Sequence, residues 1–153
     1  MTQASSVQRQ VSAGTVQDAE IILKLYDLRR EEKMREARHW FQTRFKASSL
    51  DEFQKQTSTR QANTYFRNVI NYWEMACMFV SRGILNEEMF FETSGEILSV
   101  WEKIRPILRD IRKSRKNPLF MRHTEEVCKR FIDWVNREAP GAYDWVVSLN
   151  QPE

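Results

Sequence analysis

Apolar residues recur three and four positions apart along almost the whole of this sequence. A chain patterned in that way closes a core by packing helices side by side. Ile21, Ile22, Leu25 and Leu28, then Met34, Ala37, Phe41 and Phe45, mark one stripe. Ala62, Tyr65, Phe66, Val69, Trp73, Ala76, Cys77 and Val80 mark a second. Phe90, Ile97, Leu98, Trp101, Ile104, Leu108 and Ile111 form a third, and Phe120, Val127, Phe131, Trp134 and Val135 a fourth. Four Gly and four Pro are too few for the many tight turns of an all-β chain of 153 residues. The pattern therefore predicts an all-α fold without a β-sheet.

Capping signals divide the stripes into elements. Thr15 with Asp18 resembles a capping box, so the first helix is expected from Thr15 to about Phe45. Ser49-Leu50-Asp51-Glu52 is a capping box opening a short helix, and Thr59 caps the next, about Arg60 to Ser81. Arg82-Gly83 supplies a left-handed stop, and Asn86 caps a fourth helix that Pro106 is expected to kink or break. Asn117-Pro118 reads as a cap followed by Pro at the first helical position, giving a fifth helix of about Pro118 to Arg137. After Pro140-Gly141, the residues Tyr143, Trp145, Val146 and Leu149 look like a tail docked on the core. The expected architecture is a bundle of four long helices, one short helix between the first two and a docked C-terminal tail. It forms a single domain over 15–150, preceded by a disordered arm over 1–14.

Charge and composition exclude more than they assign. With 24 basic and 21 acidic residues the net charge is +3, too even to imply nucleic acid by itself. The longest apolar run, Met75 to Val80, is far short of a membrane span, and residues 1–14 lack the apolar stretch of a secretory signal. Two cysteines, Cys77 and Cys128, make no disulfide framework, which points to the reducing cytoplasm.

Few residues offer chemistry. Glu36-Ala37-Arg38-His39 has the Glu-x-x-His spacing of di-metal bundles, yet His39 points away from the buried stripe and His123 has no matching acid. No metal or cofactor is expected. Cys77 and Cys128 sit on apolar faces, and no nucleophile elbow or Gly-rich phosphate loop is present, so no catalytic residue is assigned. Glu74 stands out as the only charged residue in an apolar stretch between Val69 and Val80. A carboxylate there needs a partner, expected to be a basic or aromatic donor on another helix. Met75, Met78 and Phe79 lie on the far side of the same helix and need cover from within the subunit or from a second one. Arg109, Arg112, Lys113, Arg115 and Lys116 form the densest basic cluster, a candidate for anion contact or simply a solvated helix end.

From Trp40 onward the landmarks Asn71-Tyr72-Trp73-Glu74, the turn from Arg82 to Glu88, Trp101 and Pro106 look like those of a bacterial family of uncharacterised all-helical proteins. That family is known only as a domain of unknown function. The resemblance covers about the central half of the chain. It implies a helical fold and brings no catalytic residues. Its members often carry an N-terminal membrane helix, which has no counterpart in this sequence. Together these readings point first to a non-enzymatic cytoplasmic module acting through protein contacts, with an unknown protein partner or as a homodimer. The alternative is a binder of anionic surfaces, nucleic acid or lipid headgroups, through 109–116. A third reading is an enzyme with a bundle pocket around Glu74.

Overall fold

The computed structural model describes residues 12–151, which form nine α-helices and no strand. They are α1 (Val16–Arg30), α2 (Glu32–Thr43), α3 (Leu50–Gln56), α4 (Arg60–Ser81), α5 (Glu87–Thr93), α6 (Glu96–Ile104), α7 (Leu108–Ser114), α8 (Arg122–Glu138) and α9 (Ala142–Leu149). The all-α reading holds. The longest helix, α4, is central, with α2 packed along one side and α8 along the other, while α6 and α9 close over α8.

Aromatic side chains fill the two ends of this core. Phe41, Phe45, Phe53 and Phe66 stack at the α2–α3–α4 end, and Trp73, Phe90, Phe91 and Phe131 at the other. Each such ring contributes on the order of 2–3 kcal/mol through burial alone.

Three of the expected long helices are shorter or divided. The first breaks at Glu31, whose backbone turns extended and whose carboxylate accepts the Met34 amide at 3.1 Å. Arg38 then reaches back to the Arg29 carbonyl at 3.1 Å and closes the end of α1. The turn also leaves Leu28 45% exposed, away from the stripe it was expected to join. The fourth helix is three: it breaks at Ser94-Gly95, and again around Pro106, where α7 restarts at Leu108. The fifth starts at Arg122, because Asn117 accepts from the Leu119 amide at 3.0 Å and closes a turn instead of capping a helix. Met121 then takes a left-handed conformation (φ 57°) and buries its side chain.

Other caps are as read. Thr15 and Asp18 form a reciprocal box, and Thr59 and Asn86 accept from the third amide beyond them. Ser49 accepts from the Glu52 amide, although the Glu52 carboxylate returns to the Ser48 amide and hydroxyl, one residue early. Gly83 (φ 72°) ends α4, and the Ile84 and Leu85 amides both return to the Phe79 carbonyl. Of the expected arm, 1–11 lie outside the described residues. Ser12 is tied down through its carbonyl, which accepts from the Asn86 side chain at 2.9 Å.

Asp18 joins two helix starts. One oxygen accepts from the Thr15 amide and hydroxyl, and the other from the Asn86 amide at 2.8 Å. The Thr15 and Asn86 bonds hold its carboxyl below the usual Asp range. A depressed folded pKa means the stabilisation is present above about pH 4 and is lost as the pH falls through the folded value. Thermal melts of Asp18→Asn are therefore expected to fall below wild type at neutral pH and to converge with it under acid.

Candidate functional site

Dividing the described residues into nine helices multiplies helix ends, and each end leaves backbone groups that need partners. Most conspicuous polar side chains are spent there. Glu74, half-buried on α4, accepts from the His123 amide at 3.1 Å, the Thr124 amide at 2.8 Å and the Thr124 hydroxyl at 2.7 Å. Its partner is the N-terminus of α8, which has no side-chain cap of its own. The donors are therefore main-chain amides and a threonine, not the basic or aromatic group expected from sequence. Both carboxylate oxygens are occupied in a structural bond.

Lys103 does the same at the opposite polarity. Its ammonium donates to the carbonyls of Phe41, Gln42 and Phe45 at 2.7–3.0 Å, capping the C-terminus of α2. Glu96 gathers Arg38 in a bidentate bond of 2.7–3.2 Å, Gln42 at 2.6 Å and Arg29 at 4.0 Å. Glu102, a buried carboxylate that the sequence reading passed over, accepts from Arg105 at 3.0 Å and from the Tyr143 hydroxyl, and so ties α9 to α6. Burial, with the Glu102 bond, pushes the Tyr143 hydroxyl well up.

The nucleophile candidates do not assemble. Cys77 and Cys128 are fully buried, and burial pushes both thiols far above the range in which thiolates form. His39 is exposed, and Glu36 beside it accepts from the Tyr65 hydroxyl. Among the described residues no three His, Cys, Asp or Glu side chains group to hold a metal. A pair missed in the sequence is Ser81 with His123, 2.5 Å apart. Arg122 Nε can only donate, and it reaches His123 Nε2 at 3.3 Å. The imidazole proton therefore sits on Nδ1 and is given to Ser81 Oγ. Activation of a serine nucleophile needs the reverse direction.

The basic cluster splits in three. Arg109, Lys113 and Lys116 are exposed and line one hollow of about 420 Å³ with Arg112 and Pro118. Arg112 is fixed in its wall by bonds to the Phe120 carbonyl at 2.8 Å and to Glu125 at 3.0 Å. Arg115 turns away, its guanidinium 4.7 Å from the Phe120 ring centre and 5.9 Å from that of Phe53. Periodicity alone hints at this division, since 109, 113 and 116 share a helix face and 115 does not.

Of the suspected interface residues, Met75 and Phe79 are half-buried and packed against the core, and Met78 is half-buried. The barer apolar face is on α1. Val16, Leu23 and Tyr26 are 71%, 63% and 49% exposed and, with half-buried Ala19, recur at alternating spacings of three and four. The signal was present in the sequence but was overshadowed by the rival stripe of Ile21, Ile22, Leu25 and Leu28.

No helix among the described residues is long and apolar enough to cross a membrane. No curated protein and no solved structure matches the chain. The model of one family, described as a domain of unknown function (DUF4760), matches residues 14–131, from the entry into α1 to Phe131 in α8. By that match, over most of its length, the chain belongs to the DUF4760 family.

Proposed function

We propose that the domain is a non-enzymatic module acting through protein contacts, and that the partner its α1 face takes is a second copy of the chain. The observation that carries this reading is the bare stripe Val16–Ala19–Leu23–Tyr26, spaced as in the seam of a helix pair. Charge selects the occupant. Exposed Glu20, Lys24 and Asp27 border the stripe on one flank, and exposed Arg30 continues it one turn beyond Tyr26. A parallel pair of α1 helices would put the charged flanks of the two copies on opposite sides of the seam and set Arg30 against itself. An antiparallel pair with Leu23 opposite Tyr26 of the second copy brings Lys24 near its Asp27 and Glu20 near its Arg30, each twice by symmetry. A 15-residue helix is about 22 Å long, so the interface is small and the dimer weak and concentration-dependent. The engagement of Glu74 as a cap supports the non-enzymatic part, and two buried unpaired cysteines support a reducing compartment such as the cytoplasm.

Light scattering across micromolar concentrations tests this. Wild type is expected to show a rising dimer fraction, and Lys24→Asp to weaken dimerisation about tenfold or more by facing Asp against Asp. The double variant Lys24→Asp/Asp27→Lys should restore it. Phe79→Glu, on α4, should leave the dissociation constant unchanged if the protein stays folded. A wild-type monomer throughout, or a double variant no better than Lys24→Asp, overturns the reading.

A further inference from the structure

The hollow at α7 has a charge arrangement that its structural role does not explain. Four cations line it, Arg109, Arg112, Lys113 and Lys116, and no carboxylate does. Cations near the last turn of a helix are ordinarily accounted for by the partial negative charge there. That accounts for Arg112, Lys113 and Lys116, but Arg109 is the second residue of α7, at the end where the helix field opposes a cation. Arg112 is held in position by the Phe120 carbonyl and by Glu125, and Glu125 is shared with Lys129 at 3.3 Å. Glu125 is thus engaged by two cations, Asp110 of the same helix does not line the hollow, and the other three cations of the hollow face solvent. Holding them together on one face costs self-repulsion that an anion would relieve.

We infer that this hollow is a binding site for a ligand carrying two or more phosphate groups, gathered by Arg109, Lys113 and Lys116 around the fixed guanidinium of Arg112. The choice of phosphate follows from the donors. A planar guanidinium fork matches phosphate oxygens, and flexible lysines act as point charges around it. The cations run from Arg109 in α7 to Lys116 in the turn just past its end, an arc with donors enough for more than one phosphate. Two sources share this chemistry: a soluble polyphosphate and a polyphosphorylated lipid headgroup. Leu119, 58% exposed and next to Pro118 of the rim, would enter a bilayer in the second case and stand idle in the first.

Calorimetric titration of the whole chain with tripolyphosphate, and co-sedimentation with phosphatidylcholine vesicles with or without phosphatidylinositol bisphosphate, distinguish the sources. Uptake of tripolyphosphate that Arg109→Gln/Lys113→Gln weakens at least tenfold supports the site with a soluble ligand. Binding only to the phosphoinositide vesicles, weakened by the same double variant and by Leu119→Ser, supports the site with a headgroup. Arg115→Gln is the control, because its guanidinium faces Phe120. It should stay within about twofold of wild type, with a thermal melt confirming that each variant is folded. Absence of binding to both probes overturns the site, as does Arg115→Gln weakening binding as much as the double variant does, which would mean diffuse surface charge.

Discussion

Trp73→Ala is expected to lower stability by about 4 kcal/mol, and Trp73→Phe by only about 1–2 kcal/mol. Trp73 has no exposed surface, lies edge-on to Tyr72 at 4.9 Å and to Phe90 at 6.5 Å, and has the Arg29 guanidinium 5.6 Å from its ring centre. Truncation to Ala removes the contact joining α4 to α5 and leaves a cavity that rigid neighbours cannot fill. Phe keeps most of that volume. It also removes the indole N–H, which is buried without a hydrogen-bond partner, so part of the lost packing is offset by relief of a stranded donor. For a domain of this size the Ala variant should melt about 12 °C lower, and the Phe variant about 3–6 °C lower. Calorimetry of the two variants checks this. Equal losses would mean that the N–H has a partner, such as bound water, and that the ring volume is not what matters.

Glu74→Ala is expected to cost about 3 kcal/mol, more than its position on a half-buried helix face suggests. The substitution strands the His123 and Thr124 amides and the Thr124 hydroxyl together, and Thr124 has no exposed surface. Glu74→Gln should cost about half as much. Its remaining oxygen can still serve Thr124, while its amide nitrogen would point a donor at the His123 N–H. The loss should be local at first, with amide exchange accelerating in the first turn of α8 before it does in α4. A change within about 0.5 kcal/mol for Glu74→Ala would show that solvent takes over the cap at no cost.

These two neighbours show what could be read from the sequence and what could not. Helical character is a local property, and the three-and-four spacing around Trp73 carries it without ambiguity. So are the caps at Thr15, Thr59 and Asn86, whose partners lie three residues away. The breaks are a different matter. Glu31 is not a usual capping residue, and α8 starts at Arg122 because its end is capped by Glu74, 49 residues away from His123. A boundary set by a distant carboxylate leaves no local trace, so the sequence favours the nearer signal, Asn117-Pro118. The candidate sites divide along the same line. The five cations of 109–116 are visible as a cluster, but the turning aside of Arg115 depends on Phe53 and Phe120 and on the left-handed Lys116.

Helix α1 is attached in a way that sets it apart from the rest of the domain. Leu25 is its only buried apolar side chain, Ile21 and Ile22 are half-buried against the core, and polar ties add to these: Asp18 to the Asn86 amide, the Tyr72 hydroxyl to the Leu25 carbonyl at 2.9 Å, and Arg38 to the Arg29 carbonyl. Burial raises the Tyr72 hydroxyl to about 12, so it remains a donor across the physiological range. Lifting α1 from the bundle therefore breaks hydrogen bonds and uncovers Leu25, Ile21 and Ile22, far less apolar surface than opening the core does. Sensitivity to urea scales with the surface uncovered, so such an opening has a shallow denaturant dependence, while global unfolding has a steep one. Native-state fluctuations of α1 thus belong to a separate, low-energy opening mode that persists under conditions where the α2–α4–α8 core stays shut.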